Sequence, residues 1–348
     1  MKTIVLTGGG TAGHIMPNMA LLPELKKHFD KIVYIGSEQM EMNISKDYHL
    51  PFYQINAVKL VRKLTPKNLA IPFKLLKAIN QAKKILKQIN PDIIFSKGGF
   101  VSLPVVIAGH KLGIPVVSHE SDMTMGLANK IIYKYAKTVC TGFEETAVRH
   151  KKCVYTGSPV RNEIFLGQRQ VAKKICNFAK DQKTLLFFGG SLGSQKINNT
   201  LYNAIDKLDD FNIIHITGKK NKTQIHQNNY YACEWTNQIQ HFFALADIVI
   251  CRAGANTLCE LMALGKKMIL VPLSKKQSRG DQIDNANYFA KKGYAKVIFE
   301  ENLTPTRLYY AVTNYPKVTK QCQDFRSANQ KIVNCILNAQ KPKQNQKL

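Results

Sequence analysis

The alternation of short β-branched runs with segments of helical character constrains the fold of this chain more than any other feature of the sequence. Strands and helices that alternate at this rhythm form parallel sheets with helices packed on both faces. The sequence therefore predicts the α/β class, with strands at residues 3–7, 31–36, 92–96, 116–119, 184–188, 213–217, 248–251 and 268–272.

The length of the chain and the spacing of the runs indicate two domains. At 348 residues the chain exceeds the size at which a single hydrophobic core usually stops growing. The second series of strands begins at residue 184, after a polar, Lys-rich stretch that follows Gly157-Ser158-Pro159. We therefore expect domains at 1–161 and 162–323, each a doubly wound parallel sheet, with the carboxyl ends of both sheets lining a shared cleft. The last eight residues, 341–348, are predicted to be a disordered tail.

Charge and cysteine usage limit the partners and the compartment. The chain has 50 Lys and Arg against 23 Asp and Glu, a net charge of +27, which favours nucleic acid, anionic lipid or phosphorylated ligands without choosing among them. Its eight cysteines show no C-x-x-C or zinc-ligand spacing, which is typical of free thiols in a reducing cytosol. The sequence has neither a signal-peptide pattern nor an apolar stretch of about twenty residues, so membrane contact is expected to be peripheral.

Three glycine-rich loops follow predicted strands. The first, from Gly8 to His14, matches G-x-G-x-x-G and opens a predicted helix at about 17–28. The others contain Gly98-Gly99 and the stretch from Gly189 to Gly193. Such loops bring backbone N–H groups and a helix N-terminus close to a phosphate. A single loop also fits a dinucleotide-dependent oxidoreductase, although Glu38 comes late for the acidic residue that would hold a ribose. Three loops indicate two phosphorylated ligands, one for each domain.

Six longer motifs occur in order along the chain: GGGTAGHIMPNMAL, SKGGFVSLP, HESDMTMGLANK, TGSPVR, GGSLGSQKIN and CRAGANTLCELMALG. With them the chain closely resembles the MurG family, transferases that move N-acetylglucosamine (GlcNAc) from UDP to a lipid-linked precursor of peptidoglycan. The resemblance extends from residue 2 to about residue 336. It implies a GT-B fold, with the lipid acceptor on the N-terminal domain and the sugar nucleotide mainly on the C-terminal domain. It also implies that a final helix, at about 324–340, returns to the N-terminal domain.

The resemblance also implies which residues contact the donor, UDP-GlcNAc. Glu260 is expected to accept hydrogen bonds from both ribose hydroxyls, as a carboxylate can. The other expected contacts are Thr11 and Gly13, then Arg161, Ser191, Ala255, Asn256 and Thr257 at the diphosphate, Trp235 and Thr236 at the uracil, and Gln282 and Asn285 at the sugar hydroxyls. The alternatives are structural, namely an exposed helix position for Glu260, a linker salt bridge for Arg161 and a core position for Trp235.

In the N-terminal domain the resemblance implies an acceptor site. Its expected members are Gly9, Gly10, Gly98, Gly99 and Asn129. His14 is the expected general base, because an imidazole accepts a proton near neutral pH; alternatively it only binds phosphate or orders the loop. Glu120 is the other candidate base, or the partner of His14. The chain departs from the family pattern at Asp122, Leu192 and Phe100, where asparagine, glutamine and tyrosine are common.

A Lys-rich segment before residue 90 carries two apolar stripes. On a helix, one stripe is expected to pack on the sheet and consists of Leu75, Ile79, Ala82, Leu86 and Ile89. A second stripe, Leu69, Phe73 and Leu76, faces elsewhere. Apolar residues outside the core and surrounded by Lys suit an interfacial membrane patch, or else they cover a loop or a dimer contact.

Together these features predict an inverting transferase on the cytoplasmic face of the cell membrane. The 4-hydroxyl of undecaprenyl-pyrophosphoryl-MurNAc-pentapeptide (lipid I) would displace UDP and give lipid II. The sequence has no D-x-D motif, so helix N-termini, Ser191 and Arg161 are expected to stabilise the leaving group with no metal or other cofactor. The expected partners are UDP-GlcNAc, lipid I, an anionic membrane surface and, as candidates, cell-wall or division proteins, but no nucleic acid. The alternatives are a related transferase with a different acceptor and, less favoured, the oxidoreductase.

Overall fold

The computed structural model describes residues 1–58, 71–190, 192–221, 223, 225–275, 277–315 and 327–340. The chain forms two compact units, one of Met1–Arg161 with Arg326–Leu348 and one of Asn162–Phe325. The predicted tail at 341–348, Ser191 of the predicted donor site and Leu69 of the predicted membrane patch lie outside the described residues.

Both units are built on a parallel sheet. The strands are β1 Thr3–Thr7, β2 Lys31–Gly36, β3 Phe52–Gln54, β4 Ile93–Ser96, β5 Val116–Glu120, β6 Thr138–Thr141, β7 Cys153–Tyr155, β8 Lys183–Phe188, β9 Phe211–Ile216, β10 Tyr230–Cys233, β11 Ile248–Cys251, β12 Lys267–Leu270 and β13 Ala295–Val297. The first sheet has the order β3-β2-β1-β4-β5-β6-β7 and the second the order β10-β9-β8-β11-β12-β13. The predicted α/β class is confirmed, and all eight predicted strands are present to within two residues at either end.

Helices follow most of the strands, although none is described between β9 and β10. The α-helices are α1 Ala12–Ala20, α2 Leu22–Leu25, α3 Gln39–Asp47, α4 Ile71–Ile89, α5 Ser102–Lys111, α6 Leu127–Tyr135, α7 Glu144–Arg149, α8 Arg169–Cys176, α9 Gln195–Tyr202, α10 Ile239–Leu245, α11 Ala255–Ala263, α12 Asp281–Lys291, α13 Pro305–Thr313 and α14 Ala328–Ala339. Short 3-10 helices cover Asn162–Leu166, Ile205–Leu208 and Glu300–Asn302.

The first predicted helix, at 17–28, is wrong in its bounds. The chain instead forms α1, which begins earlier, and the short α2, with Leu21 between them. Pro23 lies in the first turn of α2. Inside a longer helix its ring would clash with the carbonyl four residues back, and it has no N–H to donate, so Pro23 favours a break at this position.

The first unit has a core on each face of its sheet. On one face, residues of α1 and α2 such as Ile15 and Leu25 pack with Ile332 and Ile336 of α14. Asn329 of α14 joins this layer to the main body of the unit. Its Nδ2 donates to the carbonyls of Ala20 (3.1 Å) and Val160 (2.8 Å), and its Oδ1 accepts from Val160 N–H. The last described helix therefore completes the N-terminal unit.

Helix α4 covers the other face of the first sheet. The apolar stripe predicted to pack on the sheet does so, since Ile79, Ala82, Leu86 and Ile89 are buried there and Leu75 packs against them. Phe73 and Leu76, on the second stripe, are 76% and 53% exposed. Among the described helices, none combines the length and the apolar character that crossing a membrane requires.

The second unit repeats the plan with a smaller sheet. Its core packs β8, β9 and β11 residues such as Leu185, Ile213 and Ile250 against α9 and α13, which contribute Leu201 and Leu308. Six strands in this unit and seven in the first give similar layers, so the loops at the strand ends are what distinguish the two units.

Candidate active site

The strand order reverses once in each sheet, beside β1 in the first unit and beside β8 in the second. Open α/β sheets bind ligands outside the carboxyl ends of the strands at such a point, because the loops there diverge and leave a crevice. In the first unit this position lies between the loops at 8–11 and 97–101. In the second unit it lies between the loops at 189–194 and 252–254. Every predicted glycine-rich loop therefore lies at a reversal point.

The loops of the second unit are partly open. A Cβ atom added at Gly190 or Gly254 would meet no described atom within 4 Å beyond its chain neighbours. Gly193 is different, because the same addition there would lie 2.0 Å from the carbonyl oxygen of Thr217. Ser194 then caps α9 by accepting a hydrogen bond from Ile197 N–H at 3.3 Å. The loop at 189–194 is thus held in place at Gly193 and Ser194, and there is open space beside Gly190.

Helix α11 begins at the other loop of this point. Gly254 is its N-cap and has no side chain to cap the helix, and the first turn carries no acidic residue. Its N-terminal N–H groups and the positive end of its dipole therefore suit an anion. Asn256, Thr257 and Glu260 are half-buried, whereas Leu258 and Cys259 between them are buried. Glu260 thus shares a partly exposed face with the residues of the first turn.

Polar side chains hold the loop at 252–254, which precedes α11, in place. Arg252 donates to the carbonyl of Val271 at 3.1 Å and forms an ion pair with Glu300 at 2.6 Å, with both side chains about nine-tenths buried. The side chain of Asn285 is buried and donates to the carbonyl of Ala253 at 3.2 Å. The structure therefore places Asn285, a predicted sugar contact, behind the loop, where it holds the backbone in place.

Three more predicted donor residues lie around this end of the unit. Gln282 is half-buried, and its Oε1 accepts from Leu273 N–H at 3.1 Å. Trp235 follows β10 and is 55% exposed, so the alternative of a core position for it is wrong. Thr236 accepts from Gln238 N–H through Oγ1 at 2.9 Å. Arg161, a fourth predicted donor residue, ends the first segment of the first unit and is half-buried.

In the glycine loops of the first unit, other parts of the protein occupy the space beside the glycines. Cβ atoms added at Gly10 and Gly98 would lie 2.4 Å from the Phe100 ring and 2.5 Å from Asn129 Oδ1. One added at Gly99 would lie 2.7 Å from the carbonyl oxygen of Gly9. Gly10, Gly98 and Gly99 all have positive φ values, of +81° to +86°, which also disfavours larger residues. The two loops therefore pack directly on each other.

The predicted phosphate role of Gly10 needs correction. Its N–H donates to Glu41 Oε1 at 2.8 Å, and Glu41 is fully buried. An N–H group that already serves a buried carboxylate is not offered to a ligand phosphate. Thr11 and Gly13, predicted as donor contacts, are exposed at the start of α1 in the same unit.

His14 lies in the first turn of α1 and is half-buried. Its Nδ1 lies 2.9 Å from Thr11 Oγ1. A Cβ atom added at Gly99 would lie 3.5 Å from the His14 ring, so His14 borders both glycine loops. When Nδ1 carries the proton and donates it to Thr11, Nε2 is the nitrogen that can accept one.

Glu120, the other candidate base, is buried at the end of β5. Its carboxylate accepts hydrogen bonds from Asp122 N–H and Gly126 N–H, both at 3.0 Å, and from Asn129 Nδ2 at 2.9 Å. Burial, and then the nearby Asp122 carboxylate, raise the pKa of Glu120. Glu120 and Asn129 are therefore in direct contact, in an arrangement that orders the loop at 121–126.

His119 precedes Glu120 and is fully buried. Its Nε2 lies 2.9 Å from the carbonyl oxygen of Gly157. Burial, with the Lys97 ammonium as the second cause, lowers the pKa of His119 well below its usual value. The ring is therefore neutral at physiological pH, and its contact with the Gly157 carbonyl is a structural one.

Sequence reasoning missed three residues that shape these loops, namely Glu41, Lys97 and Arg252. Lys97 is almost fully buried and its Nζ donates to Ser121 Oγ. Lys97 and Arg252 belong to the SKGG and CRAGAN motifs, so their position beside glycines was a usable signal. Glu41 gave no such signal, because it lies in a separate helix.

The comparisons with known proteins agree with this arrangement. Residues 4–141 match the glycosyltransferase family 28 N-terminal domain, and residues 184–344 match the glycosyltransferase family 28 C-terminal domain. The chain is therefore a glycosyltransferase, and its two parallel-sheet units have the predicted GT-B fold.

Individual relatives narrow this class. The chain is 45% identical to the UDP-N-acetylglucosamine--N-acetylmuramyl-(pentapeptide) pyrophosphoryl-undecaprenol N-acetylglucosamine transferase of Clostridium botulinum, over 96% of this chain and 93% of the relative. It is also 45% identical to the enzyme of the same name from Clostridium tetani, over 96% and 97%. The crystal structure of Acinetobacter baumannii MurG has a TM-score of 0.72 at 27% identity, over 98% of this chain and 96% of that one. The chain belongs to glycosyltransferase family 28 and, within it, to the MurG family.

Proposed function

We propose that the protein transfers GlcNAc from UDP-GlcNAc to the 4-hydroxyl of the MurNAc residue of lipid I, forming lipid II with inversion at the anomeric carbon. The names of the relatives describe a GlcNAc transfer of this kind. In the chain itself, the observation that carries the proposal is the uncapped N-terminus of α11, with open Gly254 before it and Glu260 one turn along the same half-exposed face.

The donor is assigned to the second unit. Its diphosphate meets the first turn of α11 at Ala255, Asn256 and Thr257, where backbone N–H groups stabilise negative charge. Glu260, about 6 Å farther along the helix by its rise of 1.5 Å per residue, accepts from the ribose hydroxyls. The exposed indole of Trp235 is available to stack on the uracil.

The acceptor is assigned to the first unit. His14 borders both glycine loops there and acts as the general base, with Thr11 orienting the ring through Nδ1. In the tautomer in which Nδ1 donates to Thr11, Nε2 accepts the proton of the 4-hydroxyl. Glu120 is committed to three hydrogen-bond donors, so we assign it the ordering of the acceptor loop rather than the proton transfer. Gly98, Gly99 and Asn129 form the wall of this site.

The leaving group is stabilised by protein dipoles and by cationic groups. As the bond to the anomeric carbon breaks, negative charge develops on the β-phosphate of UDP. The α11 N-terminus, Arg161 and Ser191 supply positive charge and hydrogen bonds to it. The sequence has no D-x-D motif to bind a divalent ion there, so we expect full activity in the presence of EDTA.

Membrane contact is assigned to the exposed stripe of α4, on the cytoplasmic face. Phe73 and Leu76 are exposed, and Lys74 and Lys77 beside them are exposed as well. Aromatic and aliphatic side chains next to Lys suit an anionic lipid surface. Phe73→Asp should reduce sedimentation with phosphatidylglycerol vesicles, whereas Val148→Asp, at an exposed apolar residue of the same unit, should not.

The test of the function is transfer of labelled GlcNAc from UDP-GlcNAc to a lipid I analogue in EDTA. Glu260→Ala should lower kcat/KM for the donor about 10- to 100-fold, as expected for loss of hydrogen bonds to a charged group. The control is Glu301→Ala, at an exposed acidic residue of the same unit. Donor binding without transfer to this acceptor would indicate a transferase of another pathway. Failure to bind the donor would overturn the proposal.

A further inference from the structure

We propose that Glu41 is a positioning residue whose carboxylate occupies the position at which the first glycine loop, residues 8–11, would otherwise bind an anion. The diphosphate of the acceptor then binds elsewhere on the first unit. This inference rests on the proposed function for the identity of the acceptor. It concerns a side chain that neither the glycine pattern nor the comparisons assign.

The contacts of Glu41 join two loops at the carboxyl end of the sheet. Its Oε1 accepts from Gly10 N–H, in the loop after β1, at 2.8 Å. Its Oε2 accepts from the N–H groups of Ser37 and Glu38, after β2, at 2.5 Å and 2.7 Å. One of these N–H groups belongs to the glycine loop and two lie at the start of α3, where the contact with Glu38 N–H is half of the capping box of that helix. Backbone N–H groups that converge in this way bind an anion, as those of glycine loops bind phosphate. Here the anion is a fully buried carboxylate of the protein.

The packing around Glu41 explains two glycines of the sequence. A Cβ atom added at Gly9 would lie 1.8 Å from Glu41 Oε1, and one added at Gly36 would lie 2.8 Å from Oε2. Both positions therefore need glycine to admit the carboxylate. The start of the loop is held as well, because Tyr34 Oη donates to the carbonyl of Gly8 at 2.6 Å.

Two consequences follow for catalysis. A second anion close to the buried carboxylate is repelled, so Gly9 and Gly10 do not receive the acceptor diphosphate. The loop also keeps its shape without substrate, and His14 in the following turn keeps its place beside Gly99. Glu41 thus acts through His14, and the geometry of the base depends on it.

The variant Glu41→Gln tests this role. An amide has one accepting atom, so either Gly10 N–H or the pair at Ser37 and Glu38 would face an NH₂ group. We expect kcat/KM for a short-chain lipid I analogue to fall about 100-fold, as for a small displacement of a catalytic group, with the KM for UDP-GlcNAc unchanged. The matched control is Asp92→Ala, which removes the acceptor of Thr3 N–H at the opposite end of the same sheet. Its kcat/KM should stay close to the wild-type value at a comparable loss of thermal stability.

Amide exchange provides a second measurement that does not depend on activity. In the free wild-type protein Gly10 N–H should exchange slowly, the analogue should leave that rate unchanged, and Glu41→Gln should raise it at least tenfold. Equal kinetic effects of the two variants would overturn the proposal, and so would an analogue that protects Gly10 N–H. A wild type without transfer would overturn the proposed function instead, and the exchange of Gly10 in Glu41→Gln would still decide the role of Glu41.

Discussion

The two sheets are anchored in the same way at their amino ends. In the first unit Asp92 Oδ2 accepts from Thr3 N–H, at the start of β1, at 2.7 Å. In the second unit Asp247 Oδ2 accepts from Thr184 N–H, in β8, at 2.8 Å. Each aspartate directly precedes the strand that pairs with β1 or β8 across the reversal point. Equivalent residues therefore perform the same structural task in both units.

The carboxyl ends of the two sheets differ. In the first unit the glycines admit parts of the protein, namely Glu41, Phe100 and Asn129. In the second unit Gly190 and Gly254 face space that no described atom fills. The same glycine-rich sequence pattern thus serves two purposes, close packing in one unit and room for a ligand in the other. The surroundings of a glycine distinguish these purposes, and the spacing does not.

The largest expected effect is that of replacing His14, which should impair proton transfer in the first unit and leave donor binding in the second unit unchanged. His14→Ala should lower kcat about 10²- to 10⁴-fold, because a general base contributes about that much. Binding of UDP-GlcNAc, measured by calorimetry, should keep its wild-type affinity. The control is His28→Ala, at an exposed residue of the same unit. A normal kcat in His14→Ala would show that His14 orders its loop and is not the general base. A loss of affinity for UDP-GlcNAc would contradict the assignment of the donor to the second unit alone.

Acid should destabilise the second unit through His215, whereas two buried groups of the first unit act in opposite directions. Burial lowers the pKa of His215 to about 4, so between pH 6.5 and 4 the unfolded chain binds a proton that the folded unit does not. The contribution of neutral His215 to the free energy of unfolding is complete above pH 6.5. It falls as the pH falls, and about 3 kcal/mol of it is lost at pH 4. In the first unit His119 acts in the same direction, but the raised pKa of Glu120 opposes it, because there the folded state retains the proton.

Calorimetry of His215→Gln checks this expectation. The melting temperature of the second unit should depend less on pH in the variant than in the wild type, while His226→Gln, at an exposed position, should change nothing. If the first unit melts first on acidification, the proposed balance between His119 and Glu120 is wrong.

A pair of glycine substitutions gives the smallest expected effects. Gly10→Ala places a methyl group at a φ of +86° and against the Phe100 ring, so it should destabilise the first unit by about 2 kcal/mol. Gly254→Ala, at a φ of −72°, should change the stability by less than about 1 kcal/mol but weaken binding of UDP-GlcNAc. Melting temperatures and calorimetric Kd values measure both. Equal loss of stability in the two variants would contradict the distinction between filled and open loops.

The sequence predicted the inner strands except β6 and missed all the outer ones. The continuous β-branched runs of β1, β4, β8 and β11 follow from burial on both faces of a parallel sheet. Of the five unpredicted strands, β6 lies inside the first sheet, and β3, β7, β10 and β13 are the four sheet edges, each three or four residues long and only partly buried. Edge positions do not require an apolar run, so the sequence carries little signal for them.

The candidate site was predictable in its loops and not in its long-range contacts. The three glycine-rich segments lie at the reversal points as the motifs imply. The partner of Gly10, however, comes from 31 residues away, and Asn285 reaches back 32 residues to Ala253. Such contacts depend on how helices pack, and no local pattern encodes them. The donor and acceptor roles of individual residues stay predictions for the experiments above.

Helix α14 gives the chain an unusual order of maturation on the ribosome. The N-terminal unit cannot close one face of its core until Ile332 and Ile336 have been synthesised, and Asn329 must arrive before Ala20 and Val160 are joined. The second unit is continuous in sequence and can fold first, in contrast to the usual N-terminal-first order. The unit that begins synthesis is therefore the last to be completed, and its apolar face stays open to chaperones until translation ends.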